Sequence, residues 1–457
     1  MSKIVSVILA FIQSVMVFLG VLGGNSGVWK LDGVPCYEKG IVCDTLYNTG
    51  SGLAVDSSGT TKNDGKMQLV SGTTMSEYTS YCETLVENGF ENVYSNQLGA
   101  VSANAFRKDG KLYYTYYADK TGEARIIEDN ATTSFENFGY TYSEKDDVTV
   151  YQFQYPYYDG EQNTDKNVYS TSGMMYIIRL ADNRLVVIDG GEKKQSADEN
   201  IEQCFAFMRR ITGTKPGKKV KIALWYGTHC HSDHMVFFYK LLGLHRSEIK
   251  LERVMFNYPS ASALEQCFIT DKYKRRIKKF YKNVKYLVPH TGMSFSIANL
   301  NFDVLYTHED AVSAFDGSLP IVNQNDASTV CRLWANSKSF LVTGDIDSFA
   351  ENKLAAIHGK DVFKTDILQA PHHLYNANPL IYENAQAQWI FCPNSRGRAE
   401  DGIAGYNSAR SYYTKDQLLY AGDALYGIKL DSSLSMTAEK LNVVGYDGSS
   451  LHSTKNQ

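Results

Sequence analysis

The chain has 457 residues, of which 43% are apolar and 21% charged, with a formal net charge of −4. That length exceeds one small domain and suits roughly two to three, while the composition is globular and excludes a disordered or collagen-like chain. The small negative charge excludes a uniformly basic nucleic-acid binder and leaves room for a local basic patch.

At the N-terminus, Lys3 precedes an uncharged run from Ile4 to Leu22, followed by Gly23, Gly24 and Asn25. Such a run reads as a secretory signal or an uncleaved membrane anchor. It places the protein outside the cytoplasm, secreted or membrane-anchored; the alternative is a buried helix in a cytoplasmic protein. Residues 25–146 are rich in Gly, Ser, Thr and Tyr. Tyr78, Tyr81, Leu85 and Val86 have helical spacing between Ser76 and Asn88. Strand-like pieces follow at 104–107, 112–117 and 124–127. A helix followed by strands reads as a small α+β module, and it holds no catalytic constellation.

The polar stretch from Ser143 to Asp147 marks a boundary, so residues 147–457 form a second domain. Val148 to Gln154 reads as a strand. Met174 to Leu180 and Arg184 to Ile188 read as a strand pair whose end carries Asp189-Gly190-Gly191. A carboxylate before two glycines stands where backbone can approach a site closely; read alone, a plain turn is the favoured explanation. A helix is expected from Gln195 to Thr212. Ile222 to Tyr226 reads as a buried strand leading into Thr228-His229-Cys230-His231-Ser232-Asp233-His234, and a helix is expected from about Met235. Alternation along an extended chain turns His229 and His231 the same way, and Cys230 the other. Imidazole nitrogens and a carboxylate at this density suit zinc or a similar divalent ion.

Leu251 to Asn257 reads as a further strand. The stretch from Lys272 to Lys285 holds eight Lys or Arg in fourteen residues, interleaved with Ile277, Phe280, Tyr281 and Val284. It reads as an amphipathic helix with a solvated basic face; the sharper alternative is a surface for a phosphate backbone. Phe340 to Thr343 is a strand ending in Gly344-Asp345. Asp366 to Gln369 is another, followed by Ala370-Pro371-His372-His373. Among the cysteines, Cys36 and Cys43 flank a turn and pair if the chain is exported. Cys204, Cys267, Cys331 and Cys392 have the apolar surroundings of core residues.

The His-x-His-x-Asp-His pattern resembles the metal motif of metallo-β-lactamase fold hydrolases. Asp189, the Gly344-Asp345 strand end and the Pro-His-His ending follow in that superfamily's order. Asn325-Asp326-Ala327-Ser328 is similar to the Asn-Asn-x-Ser form of the metallo-β-lactamase domain in bacterial DNA-uptake competence proteins. The resemblance implies an α/β fold, an αββα sandwich. It is preceded here by the small α+β module and the hydrophobic segment. It implies one or two zinc ions, or manganese, held by His229, His231, Asp233, His234, Asp345 and one of His372 and His373, with His372 ranked slightly ahead, Asp345 bridging and Asp347 the fallback. His308 or Asp326 would complete the first metal's ligands. Asp233, His373 and Asp189 are the implied catalytic residues, with His373 facing substrate and Asp189 orienting a ligand.

The expected activity is hydrolysis by a metal-activated hydroxide on a phosphodiester, with nucleic acid held by residues 272–285 as one candidate substrate. A lactone or other ester hydrolase, and a catalytically silent binding protein, are the alternatives. A di-iron redox protein ranks below them, because such relatives carry Glu where this chain has His231.

Overall fold

The structure is a computed structural model. It describes residues 27–49, 65–129, 147–155, 173–259, 271–321, 324–441, 443–444 and 450–451, with the backbone alone at 271–275, 443–444 and 450–451. The hydrophobic run from Ile4 to Leu22, and Cys267, lie outside these residues. Among the described residues no helix is long and apolar enough to cross a membrane.

Two sheets lie face to face. One orders its strands Lys285–Leu287, Arg253–Met255, Val220–Tyr226, Leu185–Asp189, Met175–Arg179, Thr149–Gln152, Leu425–Lys429 and Met436–Glu439, with Ile249–Leu251 also pairing Val220–Tyr226. The other orders Ser294–Ile297, Leu300–Tyr306, Val330–Ala335, Lys338–Val342, Ile367–Gln369, Trp389–Cys392 and Leu418–Tyr420. Val186, Ile188, Leu224 and Tyr226 on the first sheet share a buried core with Val304, Leu333, Phe340 and Val342 on the second. The opposite side chains of the first sheet, Val187 and Trp225 among them, pack on Asp198–Thr212 and Val236–Leu244. Those of the second, such as Leu341 and Leu368, pack on Ser348–His358 and Leu380–Ala385. Central strands are apolar on both faces because each is covered twice. The layers run helix, sheet, sheet, helix, as expected.

The N-terminal part is built differently from a detached module. The expected helix is present at Met75–Glu87, closed by a capping box between Thr74 and Glu77. The strands number more than the three expected. Lys66–Ser71 and Glu91–Leu98 join Val101–Lys108, Lys111–Ala118 and Glu123–Asp129, with short Ile41–Val42 and Tyr47–Asn48 at one side. Helix Met75–Glu87 covers one face through Tyr78, Tyr81 and Leu85. The other face, through Val101, Ala103, Tyr114 and Tyr116, joins the core of the sandwich.

Buried polar contacts stitch this seam. His290 Nε2 lies 3.2 Å from Asp129 Oδ2, and its Nδ1 lies 3.0 Å from Glu309. Tyr114 stacks on the same imidazole, with ring centroids 4.8 Å apart. Tyr116 donates to Asp310 at 2.8 Å, and Arg125 Nε donates to the Glu309 carbonyl at 3.1 Å. Burial opposes charge on His290, but Glu309 and Asp129 outweigh it and push its pKa up to about 10.

Two sequence readings need correction. The basic helix runs Asp271–Phe280, short of Lys285. Tyr281 and Val284 turn into the core, and Lys285 begins a strand beside Arg253. Cys36 and Cys43 are not joined by a disulfide, whereas Cys230, buried on the helix side among Trp225, Met235 and Phe238, is disulfide-bonded.

Candidate metal centre

The site forms where strands of both sheets end. Asp189 closes its strand with φ 55°, a left-handed turn into Gly190-Gly191. A side chain on Gly190 would lie 2.6 Å from Phe238 Cβ, so a glycine lets the turn meet the next helix. The carbonyls of Gly190 and Gly191 accept from Phe238 and Phe237 at the start of Val236–Leu244. The Asp189 carboxylate, fully buried, accepts from the Thr228 amide (2.7 Å), the Thr228 hydroxyl (2.8 Å) and His234 Nδ1 (2.7 Å). It thereby fixes the turn that carries the histidine cluster.

Each imidazole is oriented by its other nitrogen. His234 gives Nδ1 to Asp189, which turns Nε2 to Asp345 Oδ2 at 3.1 Å. His373 gives Nδ1 to the Pro393 carbonyl at 3.1 Å, which turns Nε2 to Asp345 Oδ2 (3.2 Å), Asp233 Oδ2 (3.3 Å) and His234 Nε2 (3.2 Å). His229 Nδ1 lies 3.2 Å from the Thr228 hydroxyl, and its Nε2 lies 3.1 Å from His231 Nδ1 and 4.0 Å from Asp345. A hydrogen bond on one ring nitrogen leaves the other as a lone pair for a cation.

Donor atoms of Asp233, His234, Asp345 and His373 all lie within 4.8 Å of one another. His229 and His231 form a second set of nitrogens beside them, with Asp345 between the two.

Three elements hold Asp345 and His373. Gln369 Oε1 accepts from the Thr343 and Gly344 amides, both at 2.7 Å, while its Nε2 donates to the Gly344 and Ala370 carbonyls, both at 2.8 Å. The Asp345 amide donates to Ser328 Oγ at 3.1 Å. After Pro371, residues His372, His373 and Leu374 have φ of 49°, 51° and 69°. A left-handed conformation costs a non-glycine residue about 1 kcal/mol or more, so the surroundings must enforce this turn. Gly405 helps by close approach: a Cβ there would lie 2.1 Å from the Leu374 carbonyl oxygen.

The histidine pair divides in the opposite sense from the expectation. His373 joins Asp233, His234 and Asp345, while His372 turns away because consecutive left-handed residues point their side chains apart. His372 Nδ1 bonds Asp347 Oδ1 at 2.9 Å, and its Nε2 lies 3.1 Å from Asn325 Nδ2. Asp347 is thus occupied by His372. Asp326 accepts from the Asp347 and Ala350 amides at 2.9 and 3.1 Å and caps the helix Ser348–His358. His308 lies between Tyr47 and Asn257. Neither Asp326 nor His308 joins the cluster.

Gln369 and Thr228 carry no site role in the sequence reading, while Asn325 and Ser328 enter it only through the Asn-Asn-x-Ser form. For Gln369 the one signal is the apolar strand that ends there, which implies a buried amide.

The residues present fit a divalent cation. Three carboxylates, Asp189, Asp233 and Asp345, are gathered in a nearly dry place. Burial opposes charge on His234 and His373, yet the carboxylates outweigh it. They hold His234 well above the usual imidazole range and push His373 up to about 10. Burial, with His234 adding to it, drives His229 well below that range. A cation would displace the two protons and satisfy the same charge. Two buried atoms point the same way, because His231 Nε2 and Asp345 Oδ1 have no hydrogen-bond partner.

No family model matches the sequence, and no curated protein matches it. The likeness to solved structures is low in score. The metallo-β-lactamase fold protein YhfI from Bacillus subtilis is 13% identical over 60% of this chain and 95% of its own, with a TM-score of 0.35. A diphosphatase of the PhnP family is 14% identical over 64% and 100%, with the same TM-score of 0.35. Zinc-bound PqqB from Methylobacterium extorquens is 10% identical over 49% and 71%, with a TM-score of 0.31. At such scores the chemistry has to be read from the side chains themselves.

Proposed function

We propose that this protein is a metal-dependent hydrolase acting on a phosphodiester. One observation carries the reading: the convergence of donor atoms from Asp233, His234, Asp345 and His373 within 4.8 Å, beside His229 and His231. Zinc suits this nitrogen and oxygen set, with manganese the alternative. His229, His231 and Asp345 would hold one ion, and Asp233, His234, Asp345 and His373 another. Bound there, such an ion makes water nucleophilic near neutral pH and offsets charge that develops on phosphorus oxygens.

The chain's own residues supply the rest. Asp189 and the Pro393 carbonyl keep the Nδ1 protons of His234 and His373 on the outer side. Asp345 reaches both donor sets. His372, 26% exposed and braced through Nδ1 by Asp347, would exchange its Nε2 contact with Asn325 for a hydrogen bond to an oxygen of the substrate. A phosphodiester is favoured over a neutral ester by the cations lining the groove that begins at Ser232.

The test is elemental analysis of purified protein, followed by a panel of bis(p-nitrophenyl) phosphate, a lactone and a carboxylic ester. The reading expects bound metal and chelator-sensitive cleavage of the diester. Folded protein without metal, or cleavage of the lactone alone, overturns it.

A further inference from the structure

We propose that a cationic tract running from the candidate metal centre along helix Val236–Leu244 to helix Asp271–Phe280 binds the phosphate backbone of a single nucleic-acid strand. This rests on the phosphodiesterase reading and names the remainder of the substrate.

Two grooves make the tract. The first, about 640 Å³, begins at Ser232, between the candidate ligands His231 and Asp233, and passes Lys193, Val236, Tyr239 and Lys240 to Arg246 and Arg276. The second, about 500 Å³, continues from Arg246 past Lys250 and Lys282 to Lys219. Arg246 and Phe280 line both, so the grooves meet there. Both guanidinium groups rest on the Phe280 ring, Arg246 at 5.5 Å and Arg276 at 5.9 Å. The ring thus holds two like charges side by side at the junction.

Five of the seven named charges are uncompensated. Among the described residues Lys193, Lys219, Arg246, Arg276 and Lys282 make no ion pair, whereas Lys240 and Lys250 are paired with Asp198 and Glu252. Glu192, also on the first groove, is an opposing charge at its site end. In a chain with net charge −4, five free cations along one line mark a field that attracts a repeated anion. The helix Val236–Leu244 has nine residues, so the tract along it spans about 14 Å at ~1.5 Å per residue. An extended single strand spaces its phosphates about twice as widely as the ~3.4 Å axial rise of a duplex strand, so this stretch alone faces about two of them and the second groove takes those beyond. A small mononucleotide would leave most of this length unused.

The experiment compares full-length metal-loaded wild type, Arg246→Ala/Arg276→Ala and a charge-matched control, Lys39→Ala/Lys66→Ala, which lies on the N-terminal part. Each is titrated against a fluorescein-labelled single-stranded oligonucleotide of about twelve nucleotides. Anisotropy is read at several salt concentrations, and strand integrity is checked on a gel. Metal content and melting temperature establish that each variant is folded.

Single strands lose about 0.7 in the salt slope per phosphate contact. The tract variant should therefore lose about 1.4 in slope and bind roughly 25-fold more weakly at ~0.1 M salt. The control should match wild type. An unchanged slope in a folded tract variant overturns the proposal. So does tract-dependent binding of inorganic polyphosphate without binding of the oligonucleotide. Because binding is read without turnover, failure to cleave the small diester would sink the hydrolase reading while leaving the slope result to judge the tract.

Discussion

Replacing His290 by Ala tests the seam between the N-terminal sheet and the sandwich. The imidazole is fully buried between Asp129 and Glu309. Its pKa rises from an ordinary value near 6.5 to about 10, because the two carboxylates outweigh burial. A folded pKa above the unfolded one gives stability that is complete below about pH 6.5 and is lost as pH rises through about 10. At pH 7 the linkage amounts to about 4 kcal/mol. Removing one partner of a buried ion pair independently costs about 3–5 kcal/mol. For a chain this long, about 4 kcal/mol should lower the melting temperature by about 4 °C.

The assay is urea unfolding of wild type and variant at neutral pH and above pH 10. The penalty should shrink by most of that ~4 kcal/mol at the higher pH, where wild-type His290 is itself neutral and only the lost packing of its ring remains. A penalty that is equal at both pH values, or absent at neutral pH, refutes the charge argument.

Three further outcomes follow from the site. His373→Ala should lower bound metal and diester turnover together, whereas His372→Ala should keep its metal and lose roughly 10²- to 10³-fold in turnover; elemental analysis beside kinetics separates them, and the opposite pattern would restore His372 as the ligand. Asp189→Asn should weaken metal binding by about 10- to 100-fold, since His234 loses its orienting carboxylate; competition with a fluorescent chelator reads this, and unaltered affinity would sink it. Asp326→Ala should cost about 1 kcal/mol by uncapping Ser348–His358 while leaving metal content intact; loss of metal would show instead that Asp326 supports the centre.

Much of the site was legible because its chemistry is local. His229, His231, Asp233 and His234 occupy one strand-to-helix turn. Asp345 follows a strand that reads as apolar in isolation. The division between His372 and His373 was not legible, because it depends on three successive left-handed residues that Gly405 and Gln369 enforce from elsewhere in the chain. The roles of Asp347 and Asp326 were hidden for the same reason, as each is set by a partner some twenty residues away. In the N-terminal part, Lys66–Ser71 and Glu91–Leu98 escaped notice because polar residues such as Gln68, Asn92 and Asn96 break the apolar alternation. Gln68 is buried and bonds the Val28 and Cys43 carbonyls, and Asn96 reaches across the seam to Gly292. Those side chains face backbone partners rather than water, a distinction composition does not record.

Cys230 gives the centre a dependence on solution conditions that no metal ligand would reveal. The residue between His229 and His231 is tied covalently, on the side of the strand end away from the imidazoles. A thiol reductant would therefore release the peptide that spaces the two histidines without touching either ring. Protein purified with and without reductant should differ in how firmly it retains metal. Handling history then becomes a variable in any comparison of activity between preparations.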